Sequence, residues 1–333
     1  MNNRGYIIVS DHVSSDGSRD VSEGIQKLID ENPNRTLYFP DGTYLISKPI
    51  RTPAEPTLSV DLQLSRFAII KAAEDWNGDG ALIRLGGSHP ISNIRTSGSF
   101  YSLCGGILDG SGVADGVSID SGRETQIRDV SIKRTVVGLH IRYGANCGSS
   151  DADIINVNIV GARTRESVGV LVEGFDNTFT NMRISDVYTG LDVRSSGNIF
   201  RNIHPLFTLD FSNFVGTSGF YDKNGNNWYN VCYSDNFYYG FREGANRLGS
   251  IYNSCFCMWY SPKGEKHVAF RADGKFTSVI TDSKVDFKAE QKNNILLEVG
   301  EKGGQGVLDR VITDEEYLSD GTYREYLKNG LFR

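Results

Sequence analysis

The chain alternates apolar and polar residues in short runs, and one arrangement of those runs recurs. Asn177-Thr-Phe179-Thr-Asn181 precedes Met182-Arg183-Ile184, and Asn198-Ile-Phe200-Arg-Asn202 precedes Ile203-His204-Pro205. Asn226-Asn-Trp228-Tyr-Asn230 precedes Val231-Cys232-Tyr233. Weaker copies start at Asp129, Asn156 and Asn253, so the repeat length is 21–28 residues. A second run of the type Gly-apolar-x-x follows each first one, at Gly138, Gly169, Gly190, Gly219 and Gly240. Each repeat therefore predicts two short strands separated by a bend. Units of this size that cannot bury an inner face alone must stack. The predicted fold is all-β: a single-stranded, right-handed parallel β-helix. Leucine-rich repeats have similar periods but need a fixed Leu pattern, and β-branched and aromatic residues stand in its place here. Stacked coils repeat at about 4.8 Å, so equivalent side chains form ladders. Asn156, Asn181, Asn202 and Asn230 are expected to form a structural ladder at the bend.

The N-terminus reads differently. Val21, Ile25, Leu28 and Ile29 fall on one helical face, with Asp20 as N-cap and Glu23 three residues on. Two strands around Pro40-Asp41-Gly42 follow. This helix is the expected cap over the exposed end of the solenoid. The predicted organisation is a cap over 1–50, coils over 51–313, and a tail or second cap over 314–333.

Asp16-Gly17, Asp20-Val21, Ile25-Gln26 and Tyr38-Phe39-Pro40-x-Gly42-Thr43-Tyr44 resemble the opening module of pectate-lyase-like β-helix proteins. That superfamily includes polygalacturonases, polysaccharide lyases, inulin fructotransferases and phage tailspikes. Gly106-Ile-Leu-Asp109-Gly110-Ser-Gly112 is similar to the first-coil motif of polygalacturonases. The resemblance implies the fold and an oligo- or polysaccharide partner. It does not imply the reaction, because the polygalacturonase series N-T-D, D-D, G-H-G and R-I-K is missing. The arginine-rich strand and acidic calcium ladder of common pectate lyases are missing too.

Aligned coils place Ile184, Pro205, Tyr233 and Cys257 inward, with Arg183, His204, Cys232 and Phe256 outward. The same alignment brings Asp186, Asp210 and Asp235 toward one face, with Arg183, His204, Tyr238, Trp259 and Tyr260 as substrate-binding candidates. Paired carboxylates suit glycosidic cleavage. Aromatic rings offer flat apolar faces to sugars. Asp222 and Glu243 form a second pair whose alternation points inward, a costly placement unless they are partnered. His140, Asp192, Tyr221 and Arg242 form the outward row of the second strand and are read as a solvated or inter-subunit face.

Lys and Arg total 35 against 41 Asp and Glu, a net charge of -6. This lacks the basic excess of a nucleic-acid binder. No run of about 18 apolar residues predicts a membrane span. The first residues lack a signal-peptide pattern, which predicts a cytoplasmic or phage-particle protein, or a secreted one whose signal has been removed. The five cysteines show no metal-type spacing, and neither a metal nor another cofactor is expected. Three functions fit: a glycoside hydrolase or fructotransferase-like enzyme, a polysaccharide lyase, or a tailspike-like carbohydrate- or receptor-binding protein. The last predicts a homotrimer.

Overall fold

The computed structural model describes residues 5–88, 102–143, 149–208, 215–245, 248–260, 266–275, 277–287, 294–302 and 305–313. The predicted C-terminal tail, Asp210 and Cys147 lie outside them. The chain divides into two units, Met1–Asn177 and Thr178–Arg333. Both are stretches of parallel β-helix.

In the N-terminal unit, the helix Ser22–Glu31 buries Ile25, Leu28 and Ile29. Asp20 Oδ1 accepts the Ser22 N–H (2.9 Å) and also reaches the Ser47 N–H (3.1 Å), which ties the helix start to the first coil. Glu23 turns to Lys48 (3.2 Å) rather than closing a capping box. Gln26 pairs with the Arg51 backbone, Oε1 accepting at 2.9 Å and Nε2 donating at 3.0 Å. The helix thus covers strand Ile50–Pro53 through a side chain that mimics a neighbouring strand. Tyr44 and Phe39 meet edge to face inside the first coil, and the Tyr44 hydroxyl donates to Pro40 O (3.0 Å). Tyr44, Ile70, Leu108, Ile132 and Ile159 then follow in parallel register as an inner column.

In the C-terminal unit each coil begins with a bent strand. Thr178–Ser185 pairs with Ile199–Leu206, and both bend at an Asn in the left-handed region: Asn181 at φ 57° and Asn202 at φ 52°. Asn202 Nδ2 donates to Asn181 Oδ1 (3.1 Å), the expected ladder. In the N-terminal unit Asn156 makes the equivalent bond to Asp129 (2.9 Å). The buried residue of each repeat is the earlier Asn: Asn198 and Asn227 are enclosed, and Asn227 accepts the Asn198 N–H (2.9 Å). Inside, Phe179, Phe200, Tyr229 and Tyr252 stack with centroids 4.7–4.9 Å apart. The second strands, Thr189–Val193, Ser218–Asp222, Tyr239–Glu243, Val268–Ala272 and Ile295–Val299, form a separate parallel sheet. Their repeated glycine has a steric origin. A Cβ at Gly190 would meet Gly219 O at 2.3 Å and Pro205 Cβ at 2.5 Å.

One coil departs from the expected alignment by one residue. Arg201 pairs with Asn230, so the bend falls on Val231 (φ 55°) instead of Asn230. Every side chain from Trp228 to Asn236 turns accordingly. Tyr229, not Trp228, is the buried ring. Cys232 is buried, Tyr233 faces outward beside His204, and Ser234 takes the inner place predicted for Tyr233. At the bend within the first strand, the left-handed positions of this unit run Asn181, Asn202, Val231, Ser254, Asp282 and Arg310, a polar series that Val231 interrupts. A β-branched residue there is strained by about 1–2 kcal/mol. Val231→Asn is therefore expected to stabilise the protein by roughly 1 kcal/mol, seen as a higher melting temperature by circular dichroism. An unchanged or lower value would show that the bend stores no strain at this position.

Candidate functional site on the outer row of the C-terminal unit

The one-residue shift redistributes the predicted carboxylates. Asp186 sits at a strand-ending turn (φ 58°), where its Oδ1 accepts the Thr208 hydroxyl. Asp235 is not on its row. Instead Leu206, Asp235, Met258 and Asp286 share one register position at the ends of successive strands. Asp235 and Asp286 are each 4% exposed.

Asp235 is built in from three sides. His204 Nε2 donates to its Oδ2 (3.0 Å), and an acceptor-only carboxylate opposite that nitrogen fixes the imidazole proton there. The imidazole stacks on Tyr233 (4.2 Å, 12°), and Tyr233 stacks on Phe256 (4.7 Å). The Tyr233 hydroxyl donates to Met258 Sδ (3.7 Å). Burial and the nearby Asp235 carboxylate hold the Tyr233 phenol above its usual range, so it stays a neutral donor. Asp235 Oδ1 is buried without a hydrogen-bond partner among the described residues. Such a half-satisfied buried carboxylate is a place where a ligand or water completes the set. Tyr260, 52% exposed, lies beside it, its backbone N–H held by Asn236 Oδ1 (3.0 Å).

The other sequence candidates go elsewhere. Trp259 is fully buried and stacks on Phe287 (5.0 Å), its indole N–H donating to Phe237 O (2.5 Å). It is core, not a sugar platform, because its row is the one that closes the coil. Tyr238 is buried edge to face against Tyr239 (4.6 Å), with Lys266 Nζ 5.8 Å from its ring centre; these contacts lie on the second sheet's side. Arg183 is exposed on the row of His204, and its guanidinium donates to Met182 O (3.1 Å).

Asp222 and Glu243 point inward in register, as the alternation required. Asp222 accepts from Asn224 N, Gly225 N, Asn227 Nδ2, Tyr229 OH and Ser250 Oγ at 2.7–3.0 Å. Glu243 Oε2 accepts from Ser250 N, Tyr252 OH and Ser278 Oγ at 2.6–3.1 Å. This network ties consecutive coils together from inside, away from any open surface. A cavity of about 10 Å³ beside Glu243 has room for roughly one water.

The outward row of the second sheet is an ion-pair ladder. Asp192 lies between Arg194 (2.9 Å) and Lys223 (2.8 Å). Asp273 bridges Arg242 (2.7 Å) and Arg271 (2.6 Å), and Glu298 bridges Arg271 and Lys266 (2.7 Å). Tyr221 lies between the Lys223 and Arg242 cations at 4.7 and 4.4 Å. His140, in the N-terminal unit, pairs with Glu173 (2.8 Å). That unit also has an open groove of about 730 Å³ lined by Lys71, Glu74, Asp75, Ser111 and Arg134, with no aromatic wall. Among the described residues no group of three or more His, Cys, Asp or Glu is placed to hold a metal ion. Among the described residues no helix is long and apolar enough to cross a membrane.

Sequence reasoning missed Asp286, Tyr233 and Met258. The coil Thr281–Asp286 lacks the Asn-x-aromatic signature, and Tyr233 was concealed by the shift.

A family model described as rhamnogalacturonase A/epimerase, pectate lyase-like, matches residues 8–221, more than half of the chain. The chain belongs to this rhamnogalacturonase A/epimerase family. Curated proteins give no sequence match. Solved structures share the fold at low identity. Endo-xylogalacturonan hydrolase from Aspergillus tubingensis aligns with TM-score 0.64 and 14% identity, over 93% of this chain and 92% of that one. A tailspike protein mutant of E. coli bacteriophage HK620, in complex with pentasaccharide, aligns with TM-score 0.64 and 10% identity, over 96% and 67%. ORF18 of Geobacillus virus E2 aligns with TM-score 0.57 and 15% identity; 95% of this chain is covered, but only 61% of that protein.

In this family member the interior pair sets a pH dependence. Burial, reinforced by the Asp222 charge and opposed by the bonds from Ser278, Ser250 and Tyr252, pushes the Glu243 carboxyl from 4.5 up to about 7. The folded chain thus keeps a proton that the unfolded chain releases first. The contribution is complete below about pH 4.5 and is lost as pH rises to about 7, by up to about 3 kcal/mol. Urea melts at a series of pH values should show this decline, and Glu243→Gln should flatten it. A decline of equal size in the variant would place its origin elsewhere.

Proposed function

We propose that this protein is a carbohydrate-active enzyme that hydrolyses glycosidic bonds of an oligo- or polysaccharide on the outer row of its C-terminal unit. The observation that carries this reading is the Asp235–Met258–Asp286 row, with a buried, half-satisfied carboxylate at Asp235. Family membership and the sugar-cleaving or sugar-bound proteins of the same fold support the substrate class.

Asp235 and Asp286 are two coil steps apart, so their backbones are separated by about 9.6 Å. This is near the upper end of the separation of about 6.5–9.5 Å used for inversion. One carboxylic acid protonates the departing glycosidic oxygen, and the other carboxylate takes a proton from the water that attacks the anomeric carbon. His204 orients Asp235 through Oδ2 and leaves Oδ1 for that role. Tyr260 offers ring surface to the sugar, whereas Tyr233, stacked between His204 and Phe256, presents only its edge. A lyase would need cations beside the base to hold a uronate carboxylate. Among the described residues two cations share the row of His204: Arg183, one coil before it, whose guanidinium donates to Met182 O (3.1 Å), and Lys284, two residues before Asp286, whose Nζ lies over the Phe256 ring (5.5 Å). With both engaged by other groups, hydrolysis is the better fit.

Purified protein incubated with an oligosaccharide panel should release products of inverted anomeric configuration by proton NMR, without a new unsaturated sugar. Asp235→Asn and Asp286→Asn should each lower the rate roughly 10²- to 10⁴-fold while keeping the wild-type circular dichroism spectrum. Full activity in both folded variants would remove the site from this row. Binding without cleavage by the wild type would favour a tailspike-like receptor-binding protein.

A further inference from the structure

The coil whose alignment shifts by one residue also throws a tryptophan onto the surface. Thr178, Ile199, Trp228, Ile251 and Val279 stand in one register row on the outside of the C-terminal unit. Ile199 is 44% exposed, Trp228 42% and Ile251 40%. The indole is thus flanked by an isoleucine one coil step, about 4.8 Å, to either side. The neighbouring outward row is polar: Arg201, Asn230 and Asn253 stand two residues along the same strands. Neither the Arg201 nor the Asn230 side chain makes a hydrogen bond or ion pair with another described residue. The chain's other described aromatics at the middle of these first strands, Phe179, Phe200, Tyr229 and Tyr252, all point inward.

We propose that Trp228 is the platform of a second saccharide-binding site, separate from the Asp235–Asp286 row, that takes the apolar face of a pyranose ring. The inference rests on the carbohydrate reading above but not on its catalytic residues. A pyranose presents C–H groups on its face and hydroxyls around its rim. The row offers the complement: a flat apolar strip one ring wide, edged by a guanidinium that only donates and an amide that both donates and accepts. The strip is too narrow for self-association. A stable protein interface buries about 800 Å² on each partner, and three partly exposed side chains between polar rows supply a small part of that. A site on the same coils as the cleavage row, on the other side of the bend at Val231, gives a long glycan two points of attachment, which raises its effective concentration at the carboxylates.

A glycan array of neutral and uronate-containing oligosaccharides, probed with wild type, Trp228→Ala, Trp228→Phe and Asp235→Asn, tests this. Trp228→Ala should lose roughly tenfold or more in affinity, Trp228→Phe should stay within a few-fold, and Asp235→Asn should keep the Trp228-dependent signal. Unchanged binding in Trp228→Ala overturns the proposal and leaves the Asp235 reading intact. A wild-type chain that binds no glycan overturns both. Sedimentation velocity on the same samples supplies the remaining outcome. A fall in mass for Trp228→Ala with glycan binding retained assigns the row to contact with a second copy instead, and refutes the saccharide site.

Discussion

Parallel backbone pairing between successive coils is the constraint on which everything else in this protein depends. It sets the spacing at about 4.8 Å and allows one register per pair. Each side chain must then be compatible with the residue one coil before and after it. The Phe179, Phe200, Tyr229 and Tyr252 stack satisfies this with dispersion, and Asn181 with Asn202 satisfies it with amide hydrogen bonds. The second sheet's outer row does so by alternating charges. An unpaired charge in such a column would face its own kind or an apolar neighbour at close range, which is why Asp192, Asp273 and Glu298 each meet cations. The interior carboxylates obey the same rule. Asp222 and Glu243 are adjacent buried carboxyl groups, and they are tolerated because Glu243 holds its proton more tightly and Ser250 donates to both, its hydroxyl to one and its N–H to the other.

The fold was legible in the sequence because ladders write themselves as repeats. Asn181 and Asn202, the inward phenylalanines and the second-strand glycines recur at intervals that few other architectures explain. The helix at residues 22–31 was legible from its apolar spacing and from Asp20. The site was legible only in part. His204 and Asp235 of the proposed row stood among the sequence candidates but Asp286 did not, because its coil reaches the same register position with a different local sequence. Trp259 and Tyr238 were misjudged because aromatic residues in a solenoid are more often coil fillers than platforms, and spacing alone does not separate the two. Asp186 illustrates a further limit. A carboxylate that ends a strand by accepting a hydroxyl has the same sequence context as one that faces a substrate.

The shifted coil shows why periodicity is a strong guide to architecture and a weak one to orientation. Asn230 satisfies the repeat by composition, yet Val231 makes the bend. What decides between them lies in the buried Asn227, which accepts from Asn198 and donates to Asp222. Those bonds anchor the strand start one residue later than the motif suggests, and the strand that follows has no freedom to recover the lost register.

That displacement also bears on how such chains diversify. The bond between neighbouring coils is blind to side-chain identity, so one extra residue in a turn rotates a single coil's strand and leaves the coils on both sides undisturbed. Buried and surface residues exchange places together, and a ring that once filled the interior becomes available outside. A solenoid can therefore acquire a new surface chemistry through one small insertion, where a globular core would have to be repacked throughout.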